Sequence, residues 1–209
     1  MPRALPRSFY ARPSIEVARD LLGRVLVRVF PDGARCSARI VETEAYREDD
    51  PASHSYRGRT ARTEVMFGRP GRLYVYFTYG MHFCMNAVTG REGEGSAVLL
   101  RSAEPLEGIA GMSARRGTQD PRRLCSGPAR LCEALGVGRE QNGTDLVRGG
   151  QIRIEPGAEV PDELLHVGPR VGIRAGLDEP WRFSIRDSPF VSRGRPGPPT
   201  GRLRGSRGS

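Results

Sequence analysis

The run Arg39-Ile40-Val41-Glu42-Thr43-Glu44-Ala45-Tyr46 sets two carboxylates and a phenol at alternate positions. Side chains on an extended strand alternate between faces, so Ile40, Glu42, Glu44 and Tyr46 are expected on one side. Two acids held that close and partly desolvated repel each other, which predicts that at least one titrates higher than an isolated carboxylate. A carboxylate poised near neutral pH is what general acid–base chemistry requires. A strand whose outer face carries two solvated acids fits the same pattern, and spacing leaves both readings open.

Three further groups of residues bear on chemistry. His54 lies in the irregular stretch Pro51 to Arg59, beside Tyr56, Arg57 and Arg59; it is either a solvated loop histidine or part of a site with the acids. With His82 and His166 it makes no cluster of ligands, so neither a metal nor another cofactor is expected. The segment Arg72 to Asn86 places Tyr74, Tyr76 and Thr78 on one strand face and Leu73, Val75 and Phe77 on the other. Its turn carries Tyr79 beside Gly80 and Met81, where a hairpin tip ordinarily has Asn, Asp or Gly. An aromatic there can wedge into a base stack or fold back on the surface. Finally, Arg115, Arg116, Arg122 and Arg123 fall within nine residues, ahead of Ser126-Gly127-Pro128-Ala129-Arg130. Guanidinium forks and the free N–H groups of a helix start suit phosphate, although a solvated charged loop has the same composition.

The elements that must position these residues are legible in outline. Ser14 to Leu22, closed by Gly23, reads as a helix. Arg24 to Phe30 and Arg35 to Glu44 read as a hairpin across Pro31-Asp32-Gly33. Glu48 to Gly71 is polar and irregular, with a short helix near Arg62 to Phe67, and a loop of this length is usually functional or disordered. Strands are expected at Leu73 to Tyr79, Met81 to Val88, Ala97 to Ala103, Gln151 to Glu155 and Arg182 to Arg186, with a helix from Pro128 to Leu135. No repeat, βαβ alternation or nucleotide-binding glycine fingerprint occurs. The fold class is α+β, a single compact domain on an antiparallel sheet.

Composition narrows the function. The 209 residues are 37% hydrophobic and carry net charge +9. All 33 cations are arginine, a side chain that grips phosphate with a planar fork. Residues 193–209 hold five Arg, five Gly and three Pro with no acid; they read as a disordered basic tail, since they cannot bury enough to offset their conformational entropy. Setting them aside leaves 28 cations against 24 acids, or +4 on residues 1–192. Any nucleic-acid contact must therefore rest on the placement of arginine and not on the total. No apolar run approaches the ~20 residues of a membrane helix. Cys36, Cys84, Cys125 and Cys132 are too scattered for a disulfide scaffold. A reduced, cytoplasmic protein, associated with the nucleoid if it binds DNA, is the expectation.

Six stretches in order closely resemble the alkyladenine (3-methyladenine) DNA glycosylase family, the monofunctional type without a helix-hairpin-helix. They are Glu42 to Tyr46, Ala52 to His54, Val65 to Gly71, Leu73 to Asn86, Val98 to Gly108 and Leu124 to Pro128. The resemblance spans roughly residues 10–192. It implies a curved, partly open barrel-like antiparallel sheet with peripheral helices and a protruding β-hairpin. It implies an enzyme that flips alkylated or deaminated purines out of double-stranded DNA and hydrolyses the N-glycosidic bond, leaving an abasic site. By that resemblance Glu44 is the general base and Arg101 helps hold the water and the target phosphate. Tyr46 stacks on one side of the base, His54 and Tyr76 close the other, and Ala45 lies in the same pocket. Asn86 disfavours normal guanine, Tyr79 is the wedge and Met81 supports it. Arg130 stands where the family often has lysine and keeps the charge, and with Arg115, Arg116, Arg122 and Arg123 is expected on DNA. A lyase needs an amine nucleophile; this chain has no lysine, which favours a hydrolase. A binding module without catalysis and a nucleoside hydrolase are the alternatives, disfavoured by Glu44 and Tyr79 respectively. A monomer is the default.

Overall fold

In the computed structural model residues 4–194 are described. Most of the expected tail, residues 195–209, lies outside the described residues. Alternating and continuous apolar runs draw the described residues into eight strands: β1 (Val25–Val29), β2 (Arg35–Tyr46), β3 (Leu73–Thr78), β4 (His82–Val88), β5 (Ala97–Glu107), β6 (Ile152–Glu155), β7 (Leu165–Gly168) and β8 (Arg182–Ile185). They pair antiparallel in the order β3-β4-β5-β2-β1-β6. One edge of β2 is covered by β5 along its length. The other edge is divided: β1 pairs with residues 35–39, and β8, itself paired with β7, takes residues 42–44. The sheet curls into a half-barrel, as the resemblance implied.

The core fills the inside of that curl. Val17, Ala18, Leu21 and Leu22, from helix α2 (Ser14–Asp20) and the turn after it, pack with Ala38, Ile40 and Ala45 of β2. The Thr43 hydroxyl ties α2 to the strand by donating to the Ala18 carbonyl at 2.7 Å. Gly23 ends the segment at φ +80°, and a Cβ there would lie 2.0 Å from the Ala158 carbonyl oxygen, so no side chain fits. A short α1 (Arg7–Tyr10) precedes α2.

Two sequence expectations change. The arginine-rich stretch read as a loop contains α3 (Ile109–Arg116) and α4 (Pro121–Leu124) before α5 (Pro128–Ala134). Met112 is fully buried and sits one turn from Ile109, and glycines with positive φ close both ends of α3. The irregular segment after β2 is packed, with a 3₁₀ turn at Glu64–Phe67 whose Met66 and Phe67 join Tyr74, Val88 and Ala97 in a second small core.

Candidate active site

The site is built on a strand irregularity. Ile40 pairs with Ala103 and Glu42 with Ser102, so Val41 is an extra residue in β2; Thr43 pairs with Leu100, so Arg101 is an extra residue in β5. Bulges of this kind re-aim side chains. Ala38 and Ile40 face the core before the irregularity, and Thr43 and Ala45 turn toward that side after it. The expectation that Ile40 shares a face with the acids is thus corrected: Glu42 and Glu44 meet Arg101 on the opposite face from Ile40.

Both acids are wholly buried, and each is matched by donors. Arg101 Nε and Arg182 Nε donate to Glu42 Oε1 at 3.0 and 2.7 Å, and the Ser192 N–H donates to Oε2 at 2.8 Å. Burial pushes the Glu42 carboxyl up, but Arg101, Arg182 and the Ser192 donors outweigh it and hold it below its ordinary range. For Glu42 this is the opposite of the shift that mutual repulsion predicts. Glu44 accepts from the Val171 N–H at 2.7 Å, from the Tyr46 hydroxyl at 2.9 Å and from Arg101 at 3.2 Å. Burial and the Glu44 charge raise the Tyr46 phenol well above its usual value, so it stays protonated as a donor. Burial pulls Arg101 down, yet Glu44 and Glu42 more than restore it, and the guanidinium remains cationic.

Glu44 lies directly behind the wall of a cavity of about 480 Å³, which its three partners Tyr46, Arg101 and Val171 help to line. A volume of this order suits a ligand the size of a nucleoside. The predicted ring cluster is there. His54, Tyr76 and Asn86 line the same cavity with Tyr46. The His54 and Tyr76 rings meet edge to face at 4.5 Å, and His54 Nδ1 is 3.0 Å from the Tyr74 hydroxyl. Desolvation and the nearby Arg62 charge lower His54 to about 4, leaving the imidazole neutral at pH 7. Asn86, buried at the cavity wall, donates to the Tyr74 carbonyl at 3.2 Å. Ala45 stays on the core side, and its carbonyl accepts from Arg170.

The hairpin of β3 and β4 rises beside the cavity and ends in Tyr79, 85% exposed, and Met81, 69% exposed. Tyr79 and Gly80 both have positive φ, and the Met81 N–H donates to the Thr78 carbonyl at 3.2 Å, the marks of a type I′ turn. A tyrosine in that backbone region is strained. Of the five arginines expected on DNA, Arg122, Arg123 and Arg130 are exposed. Arg115 and Arg116 are turned inward: Arg115 donates to the Ala134 carbonyl and lies over Phe30, and Arg116 donates to the Leu124 carbonyl and pairs with Glu133.

Residues 8–189 match the family model described as Methylpurine-DNA glycosylase. This chain belongs to that family. Relatives within the methylpurine-DNA glycosylase family extend nearly end to end. A protein of Carboxydothermus hydrogenoformans is 49% identical over 90% of this chain and 98% of its own. One from Streptomyces avermitilis is 51% identical over 90% of each chain, and one from Methanoculleus marisnigri is 48% identical over 90% of this chain and 98% of its own. All three bear the name "Putative 3-methyladenine DNA glycosylase". In this methylpurine-DNA glycosylase family member, sequence reasoning passed over Arg170, Val171 and Ser192. The bonds from Arg170 to Ala45, from Val171 to Glu44 and from Ser192 to Glu42 span 125, 127 and 150 residues of chain, and no local pattern marks them. Among the described residues no group of side chains could hold a metal ion, and no helix is long and apolar enough to cross a membrane.

Proposed function

We propose that this protein is a monofunctional DNA glycosylase that takes an alkylated or deaminated purine out of duplex DNA into the ring-lined cavity and hydrolyses its N-glycosidic bond. The observation that carries this reading is the Glu44 carboxylate. It lies behind the cavity wall, held by a backbone N–H, a phenol and a guanidinium, beside a hairpin whose aromatic tip faces solvent.

The chemistry follows from that placement. Breaking the bond from C1′ to the purine nitrogen builds positive charge on the sugar, as in glycoside hydrolysis generally. A water between Glu44 and C1′ forms the new C1′–O bond while the carboxylate takes its proton, and the purine leaves with the bonding electrons. Arg101 is fixed by Glu42 and Ser192, so it orients Glu44 without reorganising during the reaction. Tyr46 stacks on one side of the extruded base, and His54 and Tyr76 enclose the other. Asn86 crowds the guanine amino group. Tyr79 fills the gap left in the duplex, supported by Met81, and lesions that weaken pairing lower the few kcal/mol that flipping costs. Arg122, Arg123 and Arg130 meet backbone phosphates; Arg115 and Arg116 contribute by holding α3 in place.

Incubation with duplexes carrying 3-methyladenine, 7-methylguanine, hypoxanthine or ethenoadenine, followed by alkaline cleavage of abasic sites, tests the activity and ranks the lesions. Glu44→Gln is expected to abolish base release while retaining affinity for lesion-containing duplex. Undiminished release would remove Glu44 from the mechanism.

A further inference from the structure

Arg170 is the largest side chain that the described residues bury completely. Burying a guanidinium is costly unless it is paired and bonded, and Arg170 is paired with Asp50, which also accepts from its second terminal nitrogen at 3.0 Å. It donates as well to the Ala45 carbonyl at 3.0 Å and the Gly176 carbonyl at 3.3 Å. Its guanidinium carbon lies 4.7 Å from the Tyr46 ring centre and 5.0 Å from that of Trp181, and its Nε–H has no hydrogen-bond acceptor among the described residues. Gly176 is shaped to the pair: at φ +61°, a Cβ there would be 2.9 Å from the guanidinium and 3.0 Å from Asp50.

These interactions converge on the two functional side chains of β2 from behind. The pairing of β8 with β2 ends at Glu44 and Arg182, with one further bond from the Ala45 N–H to the Trp181 carbonyl. Beyond that point Arg170 takes over, holding the Ala45 carbonyl and covering one face of the Tyr46 ring, which leaves the other face for a base. The next residue in the chain, Val171, donates its N–H to Glu44. Arg170 itself does not line the cavity.

We propose that Arg170 is a positioning residue that holds the stacking ring of Tyr46 and the carboxylate of Glu44 in one frame; this rests on the reading of Glu44 as the base. Misplacing a reacting group by about an ångström costs on the order of 100-fold in rate, and a carboxylate that loses an N–H donor is protonated more easily. The test is single-turnover release of hypoxanthine from duplex at saturating enzyme, across acidic and neutral pH, for wild type, Arg170→Lys, Arg170→Met and Asp50→Asn. Each variant is expected to lose roughly 10–100-fold in rate, with the acidic limb of the profile moved to higher pH and affinity for undamaged duplex unchanged. Lysine keeps the charge without the fork, so it should recover part of the loss seen with methionine. Should Arg170→Met fail to fold, the lysine and Asp50→Asn proteins carry the test. Wild-type rates in folded variants overturn the proposal. So does a rate loss with an unmoved pH profile that tracks falling heat stability and duplex affinity, since that marks a purely structural role. A wild-type protein that releases no base from any damaged duplex sinks the functional reading, and this inference with it; an active wild type with unaffected variants sinks the inference alone.

Discussion

Glu42 and Glu44 are two residues apart and equally buried, yet their surroundings set them different tasks. Glu42 is fully engaged by Arg101, Arg182 and Ser192, and it serves to fix Arg101. Glu42→Ala leaves the buried Arg182 guanidinium without its carboxylate and Arg101 with Glu44 alone, and a loss of about 3–5 kcal/mol is expected in urea denaturation. Glu44 shares one oxygen with the phenol of Tyr46, the ring proposed to stack on the base. Tyr46→Phe keeps the ring and should retain lesion affinity, whereas Tyr46→Ala should lose about 1–3 kcal/mol of it, the usual worth of one base–aromatic stack; equal losses in duplex-binding titrations would contradict the stacking role. Acid acts on the folded state through His54 and Glu42. The folded His54 takes its proton at about 4 against 6.5 when unperturbed. Between those values the unfolded chain therefore binds more protons, and stability falls as pH drops from 6.5 toward 4. Glu42, lowered from 4.5, extends that loss below pH 4.5. Denaturation midpoints followed from neutral to acidic pH check the direction, and His54→Gln should flatten the upper part of the curve.

At the scale of elements, the β3–β4 hairpin is a rigid lever with an apolar end. Tyr74, Tyr76 and Thr78 occupy the cavity side as alternation requires, while Leu73 and Val75 bury in the core. One element therefore carries both the pocket wall and the exposed Tyr79 proposed as the wedge. Tyr79→Ser is expected to weaken base extrusion more than non-specific duplex affinity, read by fluorescence of a reporter base beside the lesion. An equal loss in both would make Tyr79 an ordinary surface residue. Serine keeps the Cβ and with it the positive φ, and the tyrosine ring it replaces is exposed, so protein stability should not fall with function. The arginine-rich stretch behaves in the opposite way. Its charges drew attention to DNA, but the burial of Met112 makes it a helix, and helical geometry turns Arg115 and Arg116 toward Ala134, Leu124 and Glu133.

For the whole molecule, the end of the described chain belongs to the site. Ser192 bonds Glu42 through both backbone and hydroxyl, and a Cβ on Gly194 would lie 2.5 Å from Val171. Removing residues 195–209 is expected to lower salt-dependent duplex affinity, with about 0.9 off the log–log slope for each phosphate that the tail no longer neutralises, and to leave the single-turnover rate alone. Removing residues from Val191 onward should reduce that rate as well, because Arg101 and Glu42 lose their clasp. A boundary drawn from composition at residue 192 thus cuts close to a segment that packing requires.

The amino-acid order alone determined every described strand but β7, the aromatic hairpin, the shared face of Tyr74, Tyr76 and Thr78, and the family signature, because periodicity, turn chemistry and short motifs are local and survive in a string of letters. Only the tertiary structure decided how the two acids are partnered, since one extra residue at Val41 and another at Arg101 re-aim the strands. It also decided which arginines remain on the surface and which distant groups, Arg170, Val171 and Ser192, close around Glu42 and Glu44. Bulges and long-range donors depend on how separate strands meet, and that meeting is settled by packing of the whole chain, which no neighbouring residues record.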